Sequence, residues 1–214
     1  MTRVLGVDGA KGGWVAALVE GDDVRWLRLA HIREALTHDV MAIGVDMPIG
    51  LPQRGRRECD LLAKRALGRA HPRVFLAPPR DVLDATSYVD AGARHRAHTD
   101  GLGMSVQTWH IVERIREVDA VADDPRLVEV HPELSFARLA GEVLVTKHSA
   151  AGRVARLQTL RRRWPRLDGL PAGDDALDAL AAAWSAERWV RGTAESMPVQ
   201  APVDERDRPM RIVV

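Results

Sequence analysis

Apolar residues in the first fifty positions fall in short runs separated by glycine-containing turns. Residues 3–9 (RVLGVDG), 13–20 (GWVAALVE) and 23–29 (DVRWLRL) are rich in β formers, and their spacing predicts an antiparallel meander. A brief helix near 31–38 leads to the apolar run 41–46 (MAIGVD), closed by Pro48. That connection suits a crossover to a strand parallel to the first. Helical periodicity then takes over at about 56–67, closed by Gly68, and at about 105–119, where Val106, Ile111 and Ile115 alternate with polar positions. Between these helices, Pro72, Pro78, Pro79, Gly92, Gly101 and Gly103 break the pattern, which reads as an exposed, turn-rich insertion. Loops of this kind often carry specificity. A fifth strand is expected at 126–131 (RLVEVH), helices near 132–140, 150–164 and 174–190, and a short terminal strand in MRIVV. No repeat, low-complexity tract or linker interrupts the chain. The expectation is one α/β domain over residues 1–214, with a mixed sheet and an insertion at about 52–124 after the fourth strand.

The expected strand ends carry acids. Asp8 and Asp46 close identical Gly-Val-Asp strings at 6–8 and 44–46. Side chains alternate along a strand, so Asp8 shares a face with Val4 and Gly6, and Asp46 with Ala42 and Gly44. So bare a face lets another element approach, and GDDALDALAAAW supplies one. Its Asp175 and Asp178 lie three apart on one helical face that continues to Ala182 and Ser185. Glu129 and His131, two apart in EVHPELSF, share a face of the fifth strand before Pro132 opens a helix. Sites in open α/β sheets form outside the carboxyl ends of strands, where Asp8, Asp46 and Glu129 all fall.

Two like unit charges about 4 Å apart repel by ~4 kcal/mol at an effective dielectric of ~20, so gathered carboxylates need a cation. Oxygen ligands select Mg²⁺ or Mn²⁺ over zinc, and a pair of such ions is a recurrent device for attack on phosphodiesters. Plainer roles compete with this one. Asp commonly ends strands and opens turns, Asp174 is expected to be an N-cap, and Asp175 in a first turn suits the helix dipole. Asp178, set inside the helix beside Ala181 and Ala182, has no capping role.

Composition removes other classes. Cys59 is the one cysteine, so no intramolecular disulfide forms. No segment reaches the ~20 apolar residues of a membrane span, and MTRVLGVDGAKGG lacks the apolar core of a signal peptide, so a soluble, cytoplasmic protein is expected. The formal net charge of +1 announces no polyanion partner for the molecule as a whole. Residues 54–80, however, carry eight Lys/Arg against two acids, and 153–166 carry six Arg and no acid. These are either solvated helix faces or a phosphate-contacting rim.

Lys11 lies in a glycine-rich turn whose amides could cradle a phosphate, although glycine at a hairpin turn needs no ligand to explain it. Trp14 could stack on a base or be a buried strand aromatic. Arg57, with Arg56, Lys64 and Arg65 at helical spacing, is a candidate phosphate contact. His131 is read as a neighbour of the site rather than a ligand. His95, His98 and Asp100 have metal-like spacing but no fourth ligand or thiolate nearby, so zinc is rejected. There is no G-x-S-x-G or comparable nucleophile string.

The strings GVDGAKGGWVAA (6–17), IGVDMPIGLP (43–52), RECDLLAKRALG (57–68), GLGMSVQ (101–107), EVHPELSF (129–136) and DDALDALAAA (174–183) closely resemble the predicted ribonuclease H-like nuclease family, domain of unknown function 429. The resemblance covers nearly the whole chain in order. It implies a five-stranded mixed sheet in the order 3-2-1-4-5 and metal-binding acids on strand one, strand four and a late helix, the places held here by Asp8, Asp46 and Asp178. The Asp175 and Asp178 pair resembles the terminal-helix acids of Holliday-junction resolvases of the same superfold. Ala10 stands where relatives often have Cys, which removes a thiol but no carboxylate.

The function expected is hydrolysis of phosphodiesters in DNA or RNA with Mg²⁺ or Mn²⁺, two ions being the usual number. Asp8 and Asp46 bind the ions, Asp175 and Asp178 complete the shell, Glu129 assists and water is the nucleophile. Lys11, Trp14, Arg57 and His131 lie on the substrate side. Two alternatives stand beside it. A phosphotransferase of the actin and sugar-kinase type normally duplicates its fold, and no second GVDGAKGGW string is present. A non-catalytic nucleic-acid-binding or scaffold protein would use the same acids as caps.

Overall fold

A computed structural model describes residues 2–214. The strands are β1 (Arg3–Ala10), β2 (Gly13–Glu20), β3 (Asp23–Leu29), β4 (Ala42–Val45), β5 (Leu127–Glu129), β6 (Ser196–Met197) and β7 (Ile212–Val213). The α-helices are α1 (Glu58–Leu67), α2 (Tyr88–His98), α3 (Val106–Asp119), α4 (Pro132–Ala140), α5 (Ala150–Arg163) and α6 (Asp175–Val190). They form two compact units. The first comprises the described residues up to Met47, with Asp124–Glu195 and Val213–Val214; the second comprises Pro48–Asp123 and Ser196–Ile212. The second unit takes in most of the expected insertion and adds 196–212, a stretch whose place the sequence pattern does not announce.

The first unit is built on a five-stranded sheet in the order β3-β2-β1-β4-β5, the ribonuclease H-like order the resemblance implies. β1 runs antiparallel to β2, with Asp8 opposite Val15, and parallel to β4, with Gly6 beside Gly44 and Val7 beside Val45. β5 continues the parallel half, Glu129 pairing with Val45. Residues 4–8 of β1 and 14–19 of β2 are buried on both faces, so these strands read as continuous apolar runs rather than alternations. The expected helix near 31–38 is a short 3₁₀ turn, Ile32–Thr37. Val213, in the expected terminal strand, bridges in parallel to Val130.

α6 lies against β1, β2 and β4, with α4 and α5 packed on it. The bare strand face admits it closely. A β-carbon added at Gly6 would lie 2.0 Å from the Ala179 carbonyl oxygen and 2.1 Å from the Ala183 amide nitrogen; one at Gly44 would lie 2.5 Å from the Ala182 carbonyl oxygen. Backbone therefore meets backbone where any side chain would hold the helix off.

The second unit corrects the expectation of a turn-rich stretch between two helices, because that stretch contains α2. Ser87 caps it, accepting from the Asp90 amide at 3.2 Å, and Asp90 binds Arg94 one turn on at 3.0 Å. Only Ala91, Gly92 and His95 of α2 are buried, so the apolar stripe that reveals a helix in sequence is missing.

Candidate carboxylate site

The parallel register of β1 and β4 sets Asp8 and Asp46 level, each one residue beyond the Val7 and Val45 pair, and the Asp46 amide donates to the Val7 carbonyl at 3.1 Å. By strand alternation both carboxyls share the face of Gly6 and Gly44, where α6 lies. Asp175 and Asp178 enter from the first turn of α6, and Glu129 from the end of β5. Asp8, Glu129 and Asp178 are buried; Asp46 and Asp175 keep some contact with solvent.

The charges act on one another. Burial pushes the Asp8 carboxyl well above its usual range, Asp46, Asp178 and Asp175 push it further, and Lys147 opposes them. Asp46 is pushed up to about 8, chiefly by its surroundings of protein and then by Asp178, with Lys147 opposing and Glu129 and Glu133 adding. Asp178 is raised by burial even though Lys147 binds it. Burial works against the Lys147 ammonium, but Asp178, Asp8 and Asp46 hold it above the ordinary lysine range. The expected acids are thus gathered into one electrostatic site.

Three further contributors lie outside the set expected from sequence. Lys147, in the loop between α4 and α5, donates to Asp178 Oδ2. Glu133, in the first turn of α4, binds Arg156 Nη2 at 2.6 Å. Arg156 is 1% exposed, also donates to the Val145 and Gly152 carbonyls at 2.8 and 3.0 Å, and lies over the Phe136 ring. The Val145 contact ties the Lys147 loop to α5. Glu133 was within reach of sequence reasoning, since it follows Glu129 by four residues across a helix-opening proline. A lone lysine in a loop was not.

The donor set has the chemistry of a divalent-ion site. Asp178 Oδ1 is buried and has no hydrogen-bond partner, while Oδ2 carries the Lys147 contact. An inward carboxylate oxygen without a donor, beside two carboxyls driven toward their protonated forms, is the environment a hard cation relieves. Among the described residues no three His, Cys, Asp or Glu side chains converge closely enough to hold one ion, so the donors are assembled by type and neighbourhood without meeting at a point. Asp8, Asp46 and Asp178 are the donors that such an ion would have to draw together, with Asp175 beside them. It would supply neutralising charge and acidify bound water.

The remaining candidates fall elsewhere. Trp14 is 1% exposed and is a core residue of β2, so it is not a stacking platform. Lys11 is exposed on the β1–β2 turn. His131 is half-buried at the start of α4 and makes no side-chain cap. Arg57 belongs to the second unit, where its buried guanidinium binds Asp60 and the carbonyls of Ile49 and Gly50 at 3.2 Å each. Its donors are committed inside the fold, which removes it as a phosphate contact. Asp174 sits at the N-cap position of α6 but caps nothing with its side chain, pairing instead with Arg153 at 3.4 Å. The arginine run of α5 is likewise partly structural, since Arg163 binds Glu187 and Asp22.

No helix among the described residues is long and apolar enough to cross a membrane. A comparison with curated proteins finds no match. Among solved structures, a Thermus thermophilus RuvC structure is similar at 16% identity, covering 90% of this chain and 98% of that chain with a TM-score of 0.39. The family described as "Protein of unknown function (DUF429)" matches residues 6–203, and the chain belongs to that family.

Proposed function

We propose that the carboxylate cluster is the centre of a phosphodiester hydrolase that uses Mg²⁺ or Mn²⁺ and acts on nucleic acid. The observation that carries this reading is the level placement of Asp8 and Asp46 on parallel strands, facing Asp178 of α6, with burial raising all three carboxyls and repulsion from neighbouring acids raising Asp8 and Asp46 further. Asp8, Asp46 and Asp178 would hold the metal, with Asp175 supporting them and Glu129 acting on the Asp46 side. Lys147, which donates to Asp178, would be free to meet an anionic phosphate if a metal neutralised that carboxylate. Water attacks phosphorus; as the new phosphorus–oxygen bond forms, the bond to the ester oxygen breaks, and the proton lost by the attacking water balances the one taken up by the departing oxygen.

Calorimetric titration of Mn²⁺, taken into the millimolar range, tests the centre. Wild-type protein is expected to bind and Asp8→Asn to lose binding; a screen of single- and double-stranded DNA and RNA with Mn²⁺ then tests cleavage. The Lys147 contact favours a second reading, in which the ammonium is the permanent counter-charge of a non-catalytic fold. Absence of Mn²⁺ binding to either protein would support that reading instead.

A further inference from the structure

Two of the strings that carry the family resemblance, RECDLLAKRALG and GLGMSVQ, contribute nothing to the carboxylate site. Within the second unit both line one cavity of about 430 Å³, inside the ~300–1,000 Å³ range of small-molecule sites. Its floor runs through Val74 and Ala77, and no carboxylate lines it.

The walls are fixed before any ligand arrives. Asp60 accepts from the Ala77 amide at 2.9 Å, His95 Nδ1 lies 2.9 Å from the Leu102 carbonyl, and the Tyr88 hydroxyl donates to the Met104 carbonyl at 2.9 Å. Ser105 caps α3, accepting from the Thr108 amide at 3.0 Å.

The polar groups on the rim are mostly uncommitted. Arg56 is exposed and, among the described residues, has neither an ion-pair nor a hydrogen-bond partner. Lys64 spends one donor on the His71 carbonyl at 3.1 Å and keeps the others. Phe75 leaves 48% of its surface exposed, an aromatic face that a flat partner would cover. Gln107 adds an exposed amide with donors and an acceptor. In a chain whose net charge is only +1, a cavity with two cations, no acid and an open ring is complementary to an anion with a flat body.

We propose that this cavity binds a nucleoside monophosphate. Its phosphate meets Arg56 and Lys64, its base lies on Phe75, and the Gln107 amide meets the base edge. The inference stands independently of the hydrolase reading, because it uses no residue of the carboxylate cluster.

The test is calorimetric titration of the four ribonucleoside monophosphates, their nucleosides and inorganic phosphate into the full chain with EDTA present. At least one monophosphate is expected to bind, with its nucleoside and inorganic phosphate each weaker by about ten-fold or more. Arg56→Gln and Phe75→Ser, both at exposed positions and checked for native circular dichroism, should each weaken binding about ten-fold. Asp8→Asn should leave it unchanged. No binding into the millimolar range overturns the proposal, as does inorganic phosphate binding as tightly as the nucleotide. Loss of binding in Asp8→Asn with retention in Arg56→Gln would assign the nucleotide to the carboxylates and equally overturn it.

Discussion

Asp46 is pushed up to about 8 in the folded chain, against about 3.9 for an unfolded aspartate. A carboxyl raised by folding contributes stability that is complete below the unfolded value and is lost as the pH rises through the folded one. Asp8 and Asp178 are shifted in the same direction. Metal-free protein should therefore melt at steadily lower temperature between about pH 4 and pH 8, and Asp46→Asn should flatten that slope. An unchanged slope in thermal melts of the variant would count against the cluster's electrostatics. Lys147→Met leaves the Asp178 carboxylate without its donor and should cost about 2 kcal/mol in urea unfolding at neutral pH. Asp8, Asp46 and Asp178 were legible because repeated strings and helical spacing are local patterns. Lys147 and Arg156 were not, since their roles come from a loop and a helix that meet the acids only in three dimensions.

Among the elements, β1, β2 and β4 were legible because strands buried on both faces are written as short apolar runs between turns. The approach of α6 was also legible, from small residues flanking acids on both sides of the contact. α2 was not, because a helix that buries only Ala91, Gly92 and His95 leaves no apolar period to read. The contact between α6 and the sheet yields the sharpest prediction at this scale. Gly6→Ala would drive a methyl into helix backbone that cannot rotate away, and should cost about 3 kcal/mol or more in chemical unfolding. Gly12→Ala, at a turn glycine with φ of 78° and open space around it, should cost less, through backbone strain alone. Equal costs would mean that α6 is not held against β1 as tightly as described.

For the whole molecule, the proposed metal site predicts linkage, because its donors are assembled only in the folded chain. At Mn²⁺ a hundred times its dissociation constant, wild-type stability should rise by about 2.7 kcal/mol and that of Asp8→Asn should not. The two-unit organisation was illegible in the sequence because the contacts that join the second unit's two chain segments include long-range polar ones. Arg80 reaches Asp204 and Asp119, and Arg208 reaches Asp119 and Asp123. Asp204 also accepts the Leu51 amide at 3.0 Å. Burial alone would raise the Asp204 carboxyl, but amides of Leu51, Arg208 and Arg206 and the Arg80 guanidinium hold it below its usual range. Its contribution is present above the unfolded value of about 3.9 and is lost as pH falls. Asp204→Ala takes one of its carboxylate partners from the buried Arg80 guanidinium and the acceptor from the Leu51 amide, and should cost about 2–3 kcal/mol at neutral pH.

Because Asp204 follows Arg80 by so long a stretch of chain, the second unit also has a timetable. Its first segment ends at Asp123 and its second begins at Ser196. At ~5–20 residues per second, a ribosome needs roughly 4–14 s to make what lies between. For that interval the Arg80 guanidinium and the Leu51 amide wait for a carboxylate that has not been made. Nascent chains stalled before residue 196 should be open to proteolysis within 48–123, and those long enough to expose residue 212 outside the ribosome should be protected.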